Sequence, residues 1–172
     1  MRHLFVLLAA GLLCVIGAVT GSVFFMAADI VNKVDVREIQ GTDLEGHDLK
    51  LSDYRGKVVL VAFWTSTDHD GQGAQDLLKR LQAKFDRHPF RVVGVNGDES
   101  RGLAQTAAGR HAYRSFFDGP DQEIARSWYV TEYPTFLLID HEGREAQRYN
   151  FFLIEEEVET DIIQLLREVP RK

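Results

Sequence analysis

Residues 57–71 read Lys57-Val58-Val59-Leu60-Val61-Ala62-Phe63-Trp64-Thr65-Ser66-Thr67-Asp68-His69-Asp70-Gly71, and this stretch decides how the rest of the chain is read. From Val58 to Trp64 it is an unbroken apolar run rich in β-branched residues, which predicts a central strand covered on both faces. A polar loop follows over 65–73. From residue 74 to 85 the apolar side chains Leu77, Leu78, Leu81 and Phe85 fall on one stripe of an amphipathic helix. Gly71 and Gly73 each weaken a helix by about 1 kcal/mol relative to alanine, so regular helix is expected only from about Ala74.

Outward from this unit, residues 41–51 place Glu45-Gly46 between two short alternating segments, as in a hairpin. A second strand at 90–95 closes a strand–helix–strand unit and predicts a parallel pair. Weaker signals give a helix at 100–111, an extended piece at 113–117, a turn at Asp118-Gly119-Pro120 and a short helix near 122–128. Residues 136–140 and 145–152 flank the turn His141-Glu142-Gly143 as an antiparallel hairpin. A last helix over 155–169 carries Val158, Ile162, Ile163, Leu165, Leu166 and Val169 on its apolar side, with Glu155, Glu156 and Glu157 where the helix dipole favours negative charge.

Composition narrows the function. The chain has 172 residues and a net charge of −6, or −7 once Arg2 is set aside, which speaks against a nucleic-acid surface. Residues 4–28 carry no charged side chain; as a helix they would span about 37 Å, more than the roughly 30 Å of bilayer hydrocarbon. They are expected to anchor the chain in a membrane, a cleaved signal segment being the alternative, with 29–39 as linker and 40–172 as the folded domain. The flanking charges Arg2, Lys33 and Arg37 barely differ across the run and do not set orientation. The single cysteine, Cys14, lies inside it, and neither methionine, Met1 or Met26, lies beyond it. Everything from Asp29 onward therefore lacks thiol and thioether groups, which excludes dithiol and Cys/Met copper chemistry there.

The order of GKVVLVAFW before the loop, VVGVNGDE on the next strand and YPTFLLIDHEG on the late hairpin resembles the membrane-associated TlpA/ResA-type thioredoxin family, related to the AhpC/TSA redoxins. The resemblance covers about residues 40–168. It implies an α/β thioredoxin-like fold, a central mixed sheet flanked by helices and here preceded by a hydrophobic helix. It further implies a cis Tyr133–Pro134 bond facing the active site, and a D-x-x-G turn at Asp140 to Gly143. Where the family has F-W-A-x-W-C-x-x-C, Asp68 and Gly71 stand in the cysteine positions, and a carboxylate cannot attack a disulfide. The resemblance thus implies the scaffold and an extracytoplasmic domain without the redox reaction; secretion after signal cleavage is the alternative.

Asp68, His69 and Asp70 leave three roles open. Thr67 or Asp68 caps the helix while Asp70 complements its dipole. Alternatively, Asp68, His69 and Asp70 hold a divalent cation, joined by His47 or Asp98. Or Asp68 serves as a base with His69 or Tyr133 as its partner. No cofactor is expected. His47, His88, His111 and His141 read as surface residues, and Trp64 and Trp128 as core or rim aromatics. Three functions follow. The first is a non-catalytic module that holds an extended protein segment in a groove formed by Trp64, Thr67, Asp68, Tyr133, Pro134 and Thr135, as family backbones do around the proline. The second is a metal-binding or acid/base protein using Asp68, His69 and Asp70. The third is a structural subunit whose anchor makes the contacts.

Overall fold

A computed structural model describes residues 34–67, 71–109 and 111–170. The anchor expected at 4–28, with Cys14, and the residues Asp68, His69 and Asp70 lie outside the described residues. Among the described residues no helix is long and apolar enough to cross a membrane.

A six-stranded mixed sheet organises the fold. Its strands are β1 (Val34–Asp35), β4 (Val58–Trp64), β5 (Phe90–Asn96), β6 (Ser115–Phe117), β7 (Thr135–Ile139) and β8 (Arg144–Asn150), in spatial order β1-β8-β7-β4-β5-β6. β4 is central: it pairs parallel with β5 and antiparallel with β7, and all seven of its residues are buried. The expected hairpin at 41–51 is present as β2 (Gln40–Thr42) and β3 (Asp48–Lys50). Part of the presumed linker joins the domain, since β1 pairs with β8 and Ile39 is 2% exposed.

Helices α1 (Gly71–Lys84), α2 (Arg101–Ala108), α3 (Glu123–Ser127) and α4 (Glu155–Glu168) complete the layers. On one face, Leu77, Leu78, Leu81 and Phe85 around α1 and Val158, Ile162 and Leu165 of α4 pack on Leu60, Ala62, Phe136 and Leu138. On the other face, Ala125 and Trp128 around α3 and Leu49 of β3 cover Val61, Phe63, Val95 and Leu137. The alternation of β4 thus feeds two cores, and burial of each of these valine, leucine, isoleucine and phenylalanine side chains is worth about 1.5–3 kcal/mol.

The two hairpin turns are built alike. Asp43-Leu44-Glu45-Gly46 and Asp140-His141-Glu142-Gly143 each begin with a buried aspartate and end with a glycine at φ +88° or +83°. Asp43 Oδ1 accepts the Glu45 and His47 amides at 3.1 and 2.8 Å; Asp140 Oδ1 accepts the Glu142 and Arg144 amides at 3.0 and 2.9 Å. A carboxylate that satisfies two turn amides, followed by a glycine free to take positive φ, fixes the reversal.

Several expectations are corrected. α1 starts at Gly71 and not near Ala74, because packing of Ala74, Leu77 and Leu78 on the sheet, with Gln75 bonded to the Tyr113 hydroxyl, outweighs the glycine penalties. With α1 beginning at Gly71, Thr67 does not immediately precede the helix and is not its cap; its hydroxyl lies 3.3 Å from Thr65 Oγ1. On α4, Ile163 is 40% exposed, since it faces away from the Val158, Ile162, Leu165 stripe.

Candidate functional site

The candidate site lies at the C-terminal end of β4, where the chain leaves the sheet for α1. Asn96 and Asp98 shape the floor. Asp98 is 6% exposed, and its Oδ1 accepts both the backbone N–H and the hydroxyl of Ser66 at 2.9 Å. Its Oδ2 accepts from Asn96 Nδ2 at 2.9 Å, and Asn96 Oδ1 accepts the Asp98 amide at 3.1 Å. The start of the loop is thereby tied to the end of β5 by a carboxylate satisfied with neutral donors.

The Tyr133–Pro134 bond is cis, as the resemblance implied. Tyr133 is half-buried and packs on the core beside α3. Its ring rests on Gly97: a Cβ added there would stand 2.7 Å from Tyr133 Oη and 3.0 Å from its Cζ. The Gly97 amide donates to the Trp64 carbonyl at 3.1 Å, so Tyr133 covers the junction of the β4 and β5 ends.

Of the six residues expected to touch a partner, Trp64 (3% exposed) and Thr135 (2%) are buried and support the site from below. Trp64 Nε1 donates to Ser115 Oγ, and Thr135 Oγ1 donates to the Glu132 carbonyl at 2.8 Å. Pro134 is also buried; Thr67 is exposed and Tyr133 half-exposed. Asp68 lies outside the described residues.

The structure adds an apolar lip that strand periodicity concealed. The Phe151 amide donates to the Pro134 carbonyl at 2.8 Å, and Phe151 (49% exposed), Phe152 (65%) and Ile154 (42%) stand out beside it. Phe151 has φ +68°, a left-handed conformation unfavourable for a bulky side chain. A run of four apolar residues ending a strand looks like more strand, and only the backbone conformation turns it outward.

His111 corrects the expectation of a surface histidine. It stacks on Tyr113 (centroids 5.0 Å apart, 20° between planes) and meets Trp64 edge-on at 4.6 Å. Burial, reinforced by the Lys79 charge, pushes its pKa down to about 4. Its position at a helix end suggested solvent; Trp64 at the end of β4 and Tyr113 just before β6 supply the aromatic walls. His141 is also partly buried, whereas His88 is exposed.

The metal ligands suggested by sequence do not assemble from what is described. Asp98 is engaged by Ser66 and Asn96, while His47 sits on the β2–β3 turn with Nδ1 3.5 Å from Asp43 Oδ1. Among the described residues no group of three or more His, Cys, Asp or Glu side chains is placed to hold an ion. Burial raises the Asp43 carboxyl's pKa, but the His47 amide and the Arg114 guanidinium outweigh this and leave it below the ordinary value.

The AhpC/TSA family model matches residues 33–146, which spans β1 through the start of β8 and takes in Trp64, Asp98 and Tyr133-Pro134 but not the lip at 151–154. The chain belongs to the AhpC/TSA family. Thiol-disulfide oxidoreductase ResA of Geobacillus kaustophilus is 28% identical over 120 residues, covering 69% of this chain and 68% of that protein. ResA of Bacillus thuringiensis subsp. konkukian is 26% identical over 62% of each chain. A Chlorobium tepidum protein assigned as the thiol:disulfide interchange protein DsbE superposes with TM-score 0.74 and 27% identity, over 78% of this chain and 97% of its own. A thiol-disulfide oxidoreductase of Bacteroides fragilis shares the fold at TM-score 0.69 and 22% identity, over 77% and 99%. The fold is thioredoxin-like, as in these solved structures.

Proposed function

We propose that this member of the family binds an extended segment of a partner protein and does not exchange disulfides, from a domain tethered outside the cytoplasm by residues 4–28. One observation carries the proposal: the only cysteine in the sequence is Cys14, while Phe151, Phe152 and Ile154 form an exposed apolar lip beside Pro134; by the sequence resemblance, Asp68 and Gly71 stand where the family has its dithiol. Disulfide exchange needs a thiolate to attack one sulfur and a second thiol to resolve the mixed disulfide. Neither group is available after residue 14.

Binding needs less. Tyr133, Phe151 and Phe152 offer hydroxyl and aromatic surface around the proline, and Asp98 holds the start of the α1 loop through Ser66. A preorganised edge with aromatic anchors suits β-addition of an extended segment, in which main-chain bonds give affinity and side-chain contacts give selectivity.

The test is site-specific photo-crosslinking from the full-length chain in its native membrane, with the photoreactive residue at Phe152, or at Leu103 on α2 as the exposed control. A discrete protein adduct from position 152, absent from 103 and abolished by Phe151→Asp, supports the proposal. Equal labelling from both positions, or reduction of insulin disulfides by the unmodified chain, overturns it.

A further inference from the structure

On the β1 side the sheet's end strand is shorter than its neighbour. β1 pairs with only Glu145 and Arg144, whereas β8 runs on to Asn150, so among the described residues its outer edge beyond Glu145 is unpaired. Pairing with β7 is irregular between Leu138 and Ile139 and regular from Gln147 to Asn150. The direction of the free groups follows from the ladder. Phe151 sends its amide inward to Pro134, so alternation turns Tyr149 and Gln147 inward as well, and leaves Arg148 and Asn150 with N–H and C=O directed outward.

Beside this edge an open trough of about 590 Å³ lies between β8 and α4, lined by Gln147, Arg148 and Tyr149 on the strand and Glu156, Glu157 and Asp161 on the helix. Gln147 and Tyr149 stand opposite Leu138 and Phe136, and so point to the α4 side. Arg148 points to the opposite face, where it pairs with Glu145 at 2.8 Å and donates to the Trp128 carbonyl. Asp161 accepts the Tyr149 hydroxyl at 2.6 Å. Glu156 and Glu157 are exposed and have no cationic partner among the described residues.

We infer that the outer edge of β8 is a second docking surface, adjoining the apolar lip at Phe151 but facing α4, which takes an extended peptide with lysine or arginine at alternate positions. The peptide adds as a strand on Arg148 and Asn150, and its α4-facing side chains meet Glu156 and Glu157. Charge complementarity sets the occupant: every second residue of an added strand faces the carboxylates, and a strand with acidic residues there meets like charge. An exposed edge usually carries a protective device. Here the irregularity and the Arg148–Glu145 pair are confined to the β1 end and the far face, which leaves the α4 side open.

The experiment uses the full-length chain in detergent micelles and an end-capped hexapeptide of alternating lysine and valine. Binding is measured by calorimetry, and amide hydrogen exchange is followed at Arg148 and Asn150. The expected result is saturable binding that slows exchange at both amides and weakens at least tenfold in the Glu156→Lys, Glu157→Lys double variant. The matching hexapeptide of alternating glutamate and valine is expected not to bind. Equal binding to parent and variant, binding of the glutamate peptide, absence of binding, or amides already protected in the free chain because another segment covers the edge would each overturn the inference.

Discussion

Acid should weaken this fold through one side chain, His111. Its imidazole lies between Trp64 and Tyr113, and burial together with the Lys79 charge holds its pKa near 4, against 6.5 for a free histidine. The unfolded chain therefore takes up the proton more readily than the folded one. Its contribution is complete above pH 6.5 and is lost as pH falls from 6.5 toward 4. Between pH 7.5 and 4.5 these two values give about 2.5 kcal/mol as a ceiling, and solvent at the partly open ring reduces this to ~1–2 kcal/mol, or on the order of 5 °C in Tm. Carboxylates titrate in the same range, so the informative quantity is a difference. Thermal unfolding of the parent and of His111→Phe, which keeps an aromatic ring against Tyr113, is compared at pH 7.5, 6.5, 5.5 and 4.5. The parent should lose ~1–2 kcal/mol more than the variant, nearly all of it below pH 6.5. Parallel curves would show that His111 is solvated or hydrogen-bonded in the folded state, and would refute the buried aromatic stack as the cause.

Asp68→Cys with Gly71→Cys should give the full-length chain insulin-reducing activity at least tenfold above the parent, since position 71 opens α1 and a helix N-terminus lowers a nearby thiol pKa; a folded but inert double variant would refute the assignment of those positions. Asp98→Ala removes bonds to Ser66 and Asn96 and should cost ~2–3 kcal/mol in urea unfolding. A loss below about 0.5 kcal/mol would mean that the cluster does not hold the loop. Gly97→Ala should cost ~1–2 kcal/mol by displacing the Tyr133 ring, with part recovered in combination with Tyr133→Phe, which removes the nearer atom. Identical losses with and without Tyr133→Phe would show that the phenol oxygen is not the obstacle.

Much of the fold was legible because each main element carries its own period. The run Val58–Trp64 could only be a doubly covered strand, and the Leu77, Leu78, Leu81, Phe85 stripe announced the face α1 buries. Legibility failed where a local preference met a long-range contact. Gly71 and Gly73 argued for a later helix start, yet packing on the sheet extended α1 to Gly71. Phe151 and Phe152 continued the pattern of a strand, yet the left-handed backbone at Phe151 ended it and exposed both rings. Of the proposed groove, Trp64 and Thr135 were placed correctly in the chain, but side-chain direction at a strand end was not readable, and both are buried.

The sequence by itself determined that no thiol follows Cys14, because composition needs no geometry, and it determined the succession of strands and helices, because periodicity is local. Tertiary structure alone decided that Asp98 closes on Ser66, that Tyr133 rests on Gly97, that His111 is walled by Trp64 and Tyr113, and that Gln147 and Tyr149 of β8 line a trough with Glu156 and Glu157 of α4. Each of these joins residues from different elements. Such meetings are fixed by strand order and register across the sheet, which no single segment encodes.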